Sequence, residues 1–230
     1  MKYKSLFFDL DDTLWDTAHN NKICLEEIYD DYHFGRYYPS FEVFFDFYMP
    51  HNLQLWAKYR RHAIDRRTLI TERFLHVLRP MGIDDETFAW RVNDDFIQRT
   101  ATKTKIIEGA IDLLEYLFPK YRLFILSNGF REIQSRKMQN AGLAPYFERI
   151  ILSEDVSIQK PHRKIFDYAL KNTNSRRSES LMTGDSLEAD IEGAQNACID
   201  QVWFNPYGET PKEPPPTYTV QSLMEIKRFL

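Results

Sequence analysis

Five short apolar runs punctuate this chain, at residues 5–8, 123–126, 150–152, 181–183 and 201–204. Runs this short and this uninterrupted suit strands buried on both faces. Between the last four, apolar residues return at helical spacing. Residues 109–118 place Ile111, Leu114, Leu117 and Phe118 on one side, and residues 130–140 start after Gly129 and end at Gly142, a C-cap. Residues 162–171 follow Pro161, read as the first helical position, and align Ile165, Phe166, Ala169 and Leu170. Residues 188–196 form a small-residue helix with Ala189, Gly193 and Ala194. Strand alternating with helix predicts an α/β protein whose parallel sheet is covered on both faces.

The first run breaks this rhythm, because the next strand begins only near residue 122. Residues 17–100 read as about four helices, with breaks near Gly35–Pro39, Pro50, Pro80 and Gly82. A structureless loop of that length is improbable, so the stretch is expected to be an inserted α-helical domain. The expected division is a core of residues 1–16 and 101–230 and an insert of residues 17–100, joined near 14–18 and 100–107. Such an insert suits a lid on two hinges. Pro206, Pro211, Pro214, Pro215 and Pro216 mark a stiff surface loop, and residues 223–230 read as a closing helix.

Composition removes several classes. Of the 230 residues 43 % are hydrophobic and 28 % charged, ordinary for a globular chain and wrong for a disordered one. The formal net charge of −4 argues against a binder of nucleic acid polymers, whose affinity comes from neutralising phosphates. No run approaches the roughly 20 apolar residues of a membrane span. The apolar run after the basic start is only Leu6-Phe7-Phe8, too short for a signal-peptide core, so a cytoplasmic protein is expected. Two cysteines, Cys24 and Cys198, cannot build a disulfide framework and suit a reducing compartment, a single disulfide between them being the alternative.

Four motifs sit just after strands or at helix starts. The first is Phe7-Phe8-Asp9-Leu10-Asp11-Asp12-Thr13. Ligands of open parallel sheets bind outside the carboxyl ends of the strands. Two carboxylates there repel each other unless compensated, and Mg²⁺ is bound by one or two carboxylates plus phosphate oxygens. The second motif is Ser127-Asn128-Gly129, which offers a hydroxyl and backbone N–H groups to a phosphate, or simply a helix cap. The third is Lys160-Pro161, whose lysine can place a positive charge over carboxylates and phosphate. The fourth is Gly184-Asp185 followed by Asp190, where Asp190 either joins the site or caps the following helix.

Taken together, and in this order, the motifs resemble those of the haloacid dehalogenase superfamily of phosphatases, with a Rossmann-like core and a helical C1 cap. The resemblance implies Asp9 as the nucleophile that becomes an aspartyl-phosphate and Asp11 as the general acid/base. It implies Thr13 beside the acid and the phosphate site, and Ser127, Asn128 and Gly129 around the transferring phosphoryl group. Lys160 would neutralise nucleophile and phosphate. Mg²⁺ would be held by Asp9, the Asp11 carbonyl and Asp185, with Asp190 supporting the metal or orienting Lys160.

The core does not choose the ester. Residues 32–56 hold ten aromatics, and residues 58–79 carry seven Lys/Arg against two acids. Most aromatics belong to a helical core, and most of the cations to a solvated face. Ser127–Phe130, Ser153–Val156, Lys160-Pro161 through Leu170, Gly184 through Ile191, Leu55-Trp56 and Tyr59 resemble the YjjG-type pyrimidine 5′-nucleotidases. That resemblance implies a small-molecule partner, a pyrimidine nucleoside monophosphate, with Phe130, Trp56 and Tyr59 as base contacts. The alternatives are a broad sugar-phosphate phosphatase, a metal-free dehalogenase, a phosphonatase using Lys58, and a phosphorylatable signalling or binding module without turnover. Oligomeric state is not legible.

Overall fold

All five apolar runs are strands, and a sixth follows them. They are β1 (Ser5–Phe8), β2 (Arg122–Ser127), β3 (Arg149–Leu152), β4 (Ser180–Gly184), β5 (Asp200–Phe204) and β6 (Tyr218–Val220). They form one sheet in the order β3-β2-β1-β4-β5-β6, with every pairing parallel. The structure is a computed structural model and describes residues 2–211 and 213–230; Met1, and Lys212 within the proline-rich stretch, lie outside the described residues.

Alternate residues of each strand serve opposite faces. Leu6, Phe8, Leu123, Ile125, Leu181 and Val202 join one core with Leu113, Leu114 and Leu117 of α5 (Ala110–Leu117). Phe7, Phe124, Leu126, Ile151 and Met182 join the other with Ile165, Phe166, Ala169 and Leu170 of α7 (Arg163–Asn172). A sheet buried on both faces is what the uninterrupted apolar runs require. The remaining helix of this unit that matters is α6 (Arg131–Asn140), which follows β2.

The chain forms two compact units, one made of the residues up to Thr17 with Thr104–Leu230 and the other of Ala18–Lys103. The second is helical, with α1 (Thr17–Asp31) entering it, then α2 (Phe41–Arg60), α3 (Arg66–Leu78) and α4 (Glu86–Thr100). Its helix starts follow from capping side chains. Ser40 accepts from the Val43 N–H, Asp65 from Thr68, and Asp85 from Thr87 and Phe88. Its core is aromatic, with Phe34, Phe44, Tyr48 and Phe74 all buried.

Several local expectations need correction. Pro50 does not end a helix but lies inside α2, because Phe44 and Tyr48 before it and Leu55 after it are buried and hold both halves. Pro161 is not the first position of α7; Lys160-Pro161 is a cis peptide, and His162 is the N-cap. Residues Leu187–Glu192 form a π-helical turn before α8 (Gly193–Asn196), and Leu223–Arg228 is a 3₁₀ helix. Cys24 and Cys198 are both free, so no disulfide joins them. Among the described residues no helix is long and apolar enough to cross a membrane.

Candidate active site

Register brings three motifs to one edge. Phe8 pairs with Ile125 of β2 and with Thr183 of β4. Asp9, Ser127 and Asp185 therefore leave three adjacent strands at nearly one level. The sheet order reverses here, since the chain moves from β1 through β2 to β3 and returns to β4 on the other side. Such a switch point opens a crevice at the carboxyl ends. The Asp9 N–H donates to the Thr183 carbonyl at 2.9 Å, which ties the turn after β1 to β4.

Lys160 is the centre of the cluster. It is 2 % exposed, and its ammonium donates to Asp9 Oδ1 at 2.6 Å, Asp190 Oδ1 at 2.6 Å and the Leu126 carbonyl at 2.7 Å. All three of its donors are thereby used. Asn128 holds the lysine's backbone: its Nδ2 donates to the Lys160 carbonyl at 3.0 Å, and its Oδ1 accepts the Lys160 N–H at 2.9 Å. Asp190 Oδ2 accepts the Ser186 N–H at 3.1 Å. Asp190 thus orients Lys160 while staying within the acidic cluster. Gly184 makes room for it, since a Cβ there would stand 2.2 Å from Asp190 Oδ2.

One oxygen from each of Asp9, Asp185 and Asp190 lies within 4.8 Å of the others. Two of these carboxylates, Asp9 and Asp190, share the one ammonium of Lys160 and Asp185 lies beside them, leaving an excess of negative charge. Burial first, and then the neighbouring carboxylates against the pull of Lys160, push Asp9 well above the usual carboxylate range. Burial, Asp190 and Asp12 raise Asp185 to about 7. For Lys160 burial works downward, but Asp190 and Asp9 outweigh it and keep the ammonium charged. Oxygen donors carrying a surplus of negative charge are the donor set of a hard divalent cation, so the residues fit Mg²⁺.

Asp11 has a different environment. Its Oδ1 accepts Lys137 Nζ at 2.7 Å and Thr17 Oγ1 at 3.1 Å, and its Oδ2 accepts Gln134 Nε2 at 2.6 Å. Burial works against its charge, but Lys137, Gln134 and Thr17 together hold its pKa below the ordinary value. Lys137 is itself buried, with its ammonium 4.0 Å from the centre of the Trp15 ring. Thr17, Gln134 and Lys137 were not among the residues expected from sequence. The available signal was weak: a Gln and a Lys three apart on a helix ordinarily mark a solvated face.

Two residues expected at the phosphate, Thr13 and Gly129, already have partners within the site. Thr13 is fully buried and gives its hydroxyl proton to Asp185 Oδ1 at 3.1 Å, while accepting the Asp185 N–H at 3.0 Å. A hydroxyl has one proton, and Thr13 uses it to brace Asp185. The Gly129 N–H is likewise spent, donated to Ser127 Oγ at 3.0 Å. Of the expected base contacts, Phe130 is buried in this unit at the N-cap of α6. Trp56 and Tyr59 belong to the helical unit, on α2, where their rings meet edge to face at 5.9 Å. Asp9, Asn128 and Asp190 contact Lys160, with Asp185 beside Asp9 and Asp190; Phe130 belongs to one unit and Trp56 and Tyr59 to the other.

The chain resembles known proteins over its whole length. Residues 6–204 match the haloacid dehalogenase-like hydrolase family. The chain is 33 % identical to the pyrimidine 5′-nucleotidase YjjG of Escherichia coli, covering all of this chain and 99 % of that one. It is 31 % identical to the pyrimidine 5′-nucleotidase PynA of Streptococcus pneumoniae, covering 98 % of this chain and 94 % of that one. The crystal structure of the HAD-hydrolase YfnB from Bacillus subtilis, bound to magnesium, superposes with a TM-score of 0.91 at 28 % identity, covering all of this chain and 99 % of that one.

Proposed function

This chain belongs to the haloacid dehalogenase-like hydrolases, and from that premise we propose that it is a Mg²⁺-dependent phosphomonoesterase working through an aspartyl-phosphate on Asp9. Pyrimidine nucleoside 5′-monophosphates are the proposed substrates, since the relatives at 33 % and 31 % identity are named pyrimidine 5′-nucleotidases. The observation that carries the reading is the buried contact of Asp9 with Lys160 beside Asp185 and Asp190.

In the proposed reaction Asp9, whose carboxyl would be ionised once Mg²⁺ joins Lys160 in offsetting the crowded cluster, attacks phosphorus through a carboxylate oxygen and the ester P–O bond breaks. Asp11, which its partners hold ionised at rest, takes the proton of the bound ester monoanion and passes it to the departing alkoxide. Water then attacks the aspartyl-phosphate, giving its proton to Asp11 and releasing inorganic phosphate with Asp9 restored. A covalent carboxylate divides one hard displacement into two easier ones. Ser127 donates to a phosphoryl oxygen, and Lys160 keeps Asp9 in place while offsetting charge, which is the main demand of phosphoryl transfer. Mg²⁺, held by the carboxylates of Asp9 and Asp185 and the Asp11 carbonyl with Asp190 behind them, would supply further neutralisation of the phosphate oxygens. Trp56, Tyr59 and Phe130 are the proposed selectors of the base.

The test is phosphate release from dUMP, dTMP, UMP, purine nucleotides and sugar phosphates, with Mg²⁺ or EDTA. Preference for the pyrimidine nucleotides, lost in EDTA, supports the reading. Better turnover of sugar phosphates would remove the substrate and keep the chemistry.

A further inference from the structure

The core unit contains a polar brace that the reaction above leaves unused. Gln134 is 1 % exposed, and its Nε2 donates to Asp11 Oδ2 at 2.6 Å and to Ser127 Oγ at 2.8 Å. A carboxamide nitrogen has two N–H groups, and each has gone to a different member of the site. Ser127 Oγ also accepts the Gly129 N–H at 3.0 Å. A hydroxyl oxygen has two lone pairs and one proton. Both lone pairs are taken, so the Ser127 proton is directed away from Gly129 and Gln134. On the other side of Asp11, Lys137 and Thr17 hold Oδ1 at 2.7 and 3.1 Å. Gln134 and Lys137 are both buried positions of α6.

We infer that Gln134 is a positioning residue that aims the Ser127 proton outward at a phosphoryl oxygen and, with Lys137, fixes the carboxylate of Asp11 for the ester oxygen. The inference rests on the phosphomonoesterase reading above. Gly129 is part of the same device, because a Cβ there would stand 2.2 Å from Gln134 Nε2 and displace the amide. A satisfied buried network also stabilises a fold, but a purely stabilising role does not distinguish one ester from another. A positioning role does. The alkoxide of dUMP needs a proton as it leaves; the phenolate of p-nitrophenyl phosphate does not.

The experiment is steady-state kinetics of the full chain in Mg²⁺ with both esters, for the wild type, Gln134→Leu, Gln134→Met, Ser127→Ala and the double variant Ser127→Ala/Gln134→Leu. Gln134→Leu is expected to lower kcat for dUMP by about tenfold or more, and kcat for p-nitrophenyl phosphate by less than about a third of that factor. Gln134→Met fills much of the same space and donates nothing; it should behave alike, and it decides the matter if the leucine variant does not fold. In the Ser127→Ala background the remaining loss with p-nitrophenyl phosphate should shrink to within about twofold, because the partner is gone. Calorimetric titration with inorganic phosphate, which needs no turnover, should show weaker binding in both Gln134 variants. Equal losses for the two esters, or wild-type kcat in a folded Gln134 variant, overturn the inference alone. A wild type that hydrolyses neither ester overturns the phosphomonoesterase reading and this inference with it.

Discussion

Lys160 and its two aspartates set the terms at the scale of single residues. The ammonium lies 2.6 Å from both Asp9 and Asp190, so removing it leaves buried carboxylates facing each other. Breaking a buried pair by deleting one partner costs about 3–5 kcal/mol. Lys160→Met is therefore expected to lower the urea midpoint by a corresponding amount as well as to stop turnover. Asp9→Asn has the opposite structural sign. Asp9 is pushed toward its neutral form by burial and by its acidic neighbours, so a neutral amide relieves the cluster. The variant should keep or raise the metal-free Tm while losing turnover by on the order of 10³-fold or more. A folded Asp9→Asn protein with wild-type kcat would refute the nucleophile assignment.

Elements decide which of these residues could be found in advance. The strands were legible because a doubly covered strand has no polar face to interrupt it, and the acids at their ends were legible as breaks in apolar runs. β6 was not: Tyr218–Val220 is three residues long, follows prolines, and is only partly buried. The support of Asp11 was not legible either, because the buried polar face of α6 has the same spacing as a solvated one. Pro50 misled for another reason, since packing on both sides of it outweighs its local cost. Phe44, fully buried in the aromatic core of the helical unit, carries much of that packing, and Phe44→Ala should cost about 3–5 kcal/mol in chemical denaturation. In the same unit His51 stacks on His76 at 3.9 Å, and His76 on Phe47 at 4.2 Å. Burial, more than the neighbouring cations, pushes both imidazoles below their ordinary value of 6.5. The unfolded chain then binds more protons than the folded one as pH falls below 6.5. Stability from this pair is full above that value and is lost as pH drops through the lower folded-state pKa. His51→Asn should flatten the pH dependence of the urea midpoint below pH 6.5, and an unchanged slope would count against the pair.

For the whole molecule, the acidic cluster links stability to a cation. A ligand that binds only the folded state stabilises it by about 2.7 kcal/mol at about 100 times its Kd. Mg²⁺ should therefore raise the Tm of the wild type, and Asp185→Asn should remove most of that rise; equal shifts in both would place the ion elsewhere. Substrate choice is proposed to lie with Trp56, Tyr59 and Phe130, outside the Lys160 cluster. Trp56→Ala and Tyr59→Ala should raise KM for dUMP severalfold relative to that for p-nitrophenyl phosphate, and unchanged ratios would withdraw the aromatic pair. The central claim is covalent, and it is tested most directly by rapid acid quench of the enzyme turning over dUMP labelled in its phosphate. The account predicts label on the peptide that contains Asp9, absent in Asp9→Asn and in EDTA. Undiminished phosphate release with no label on that peptide would contradict it.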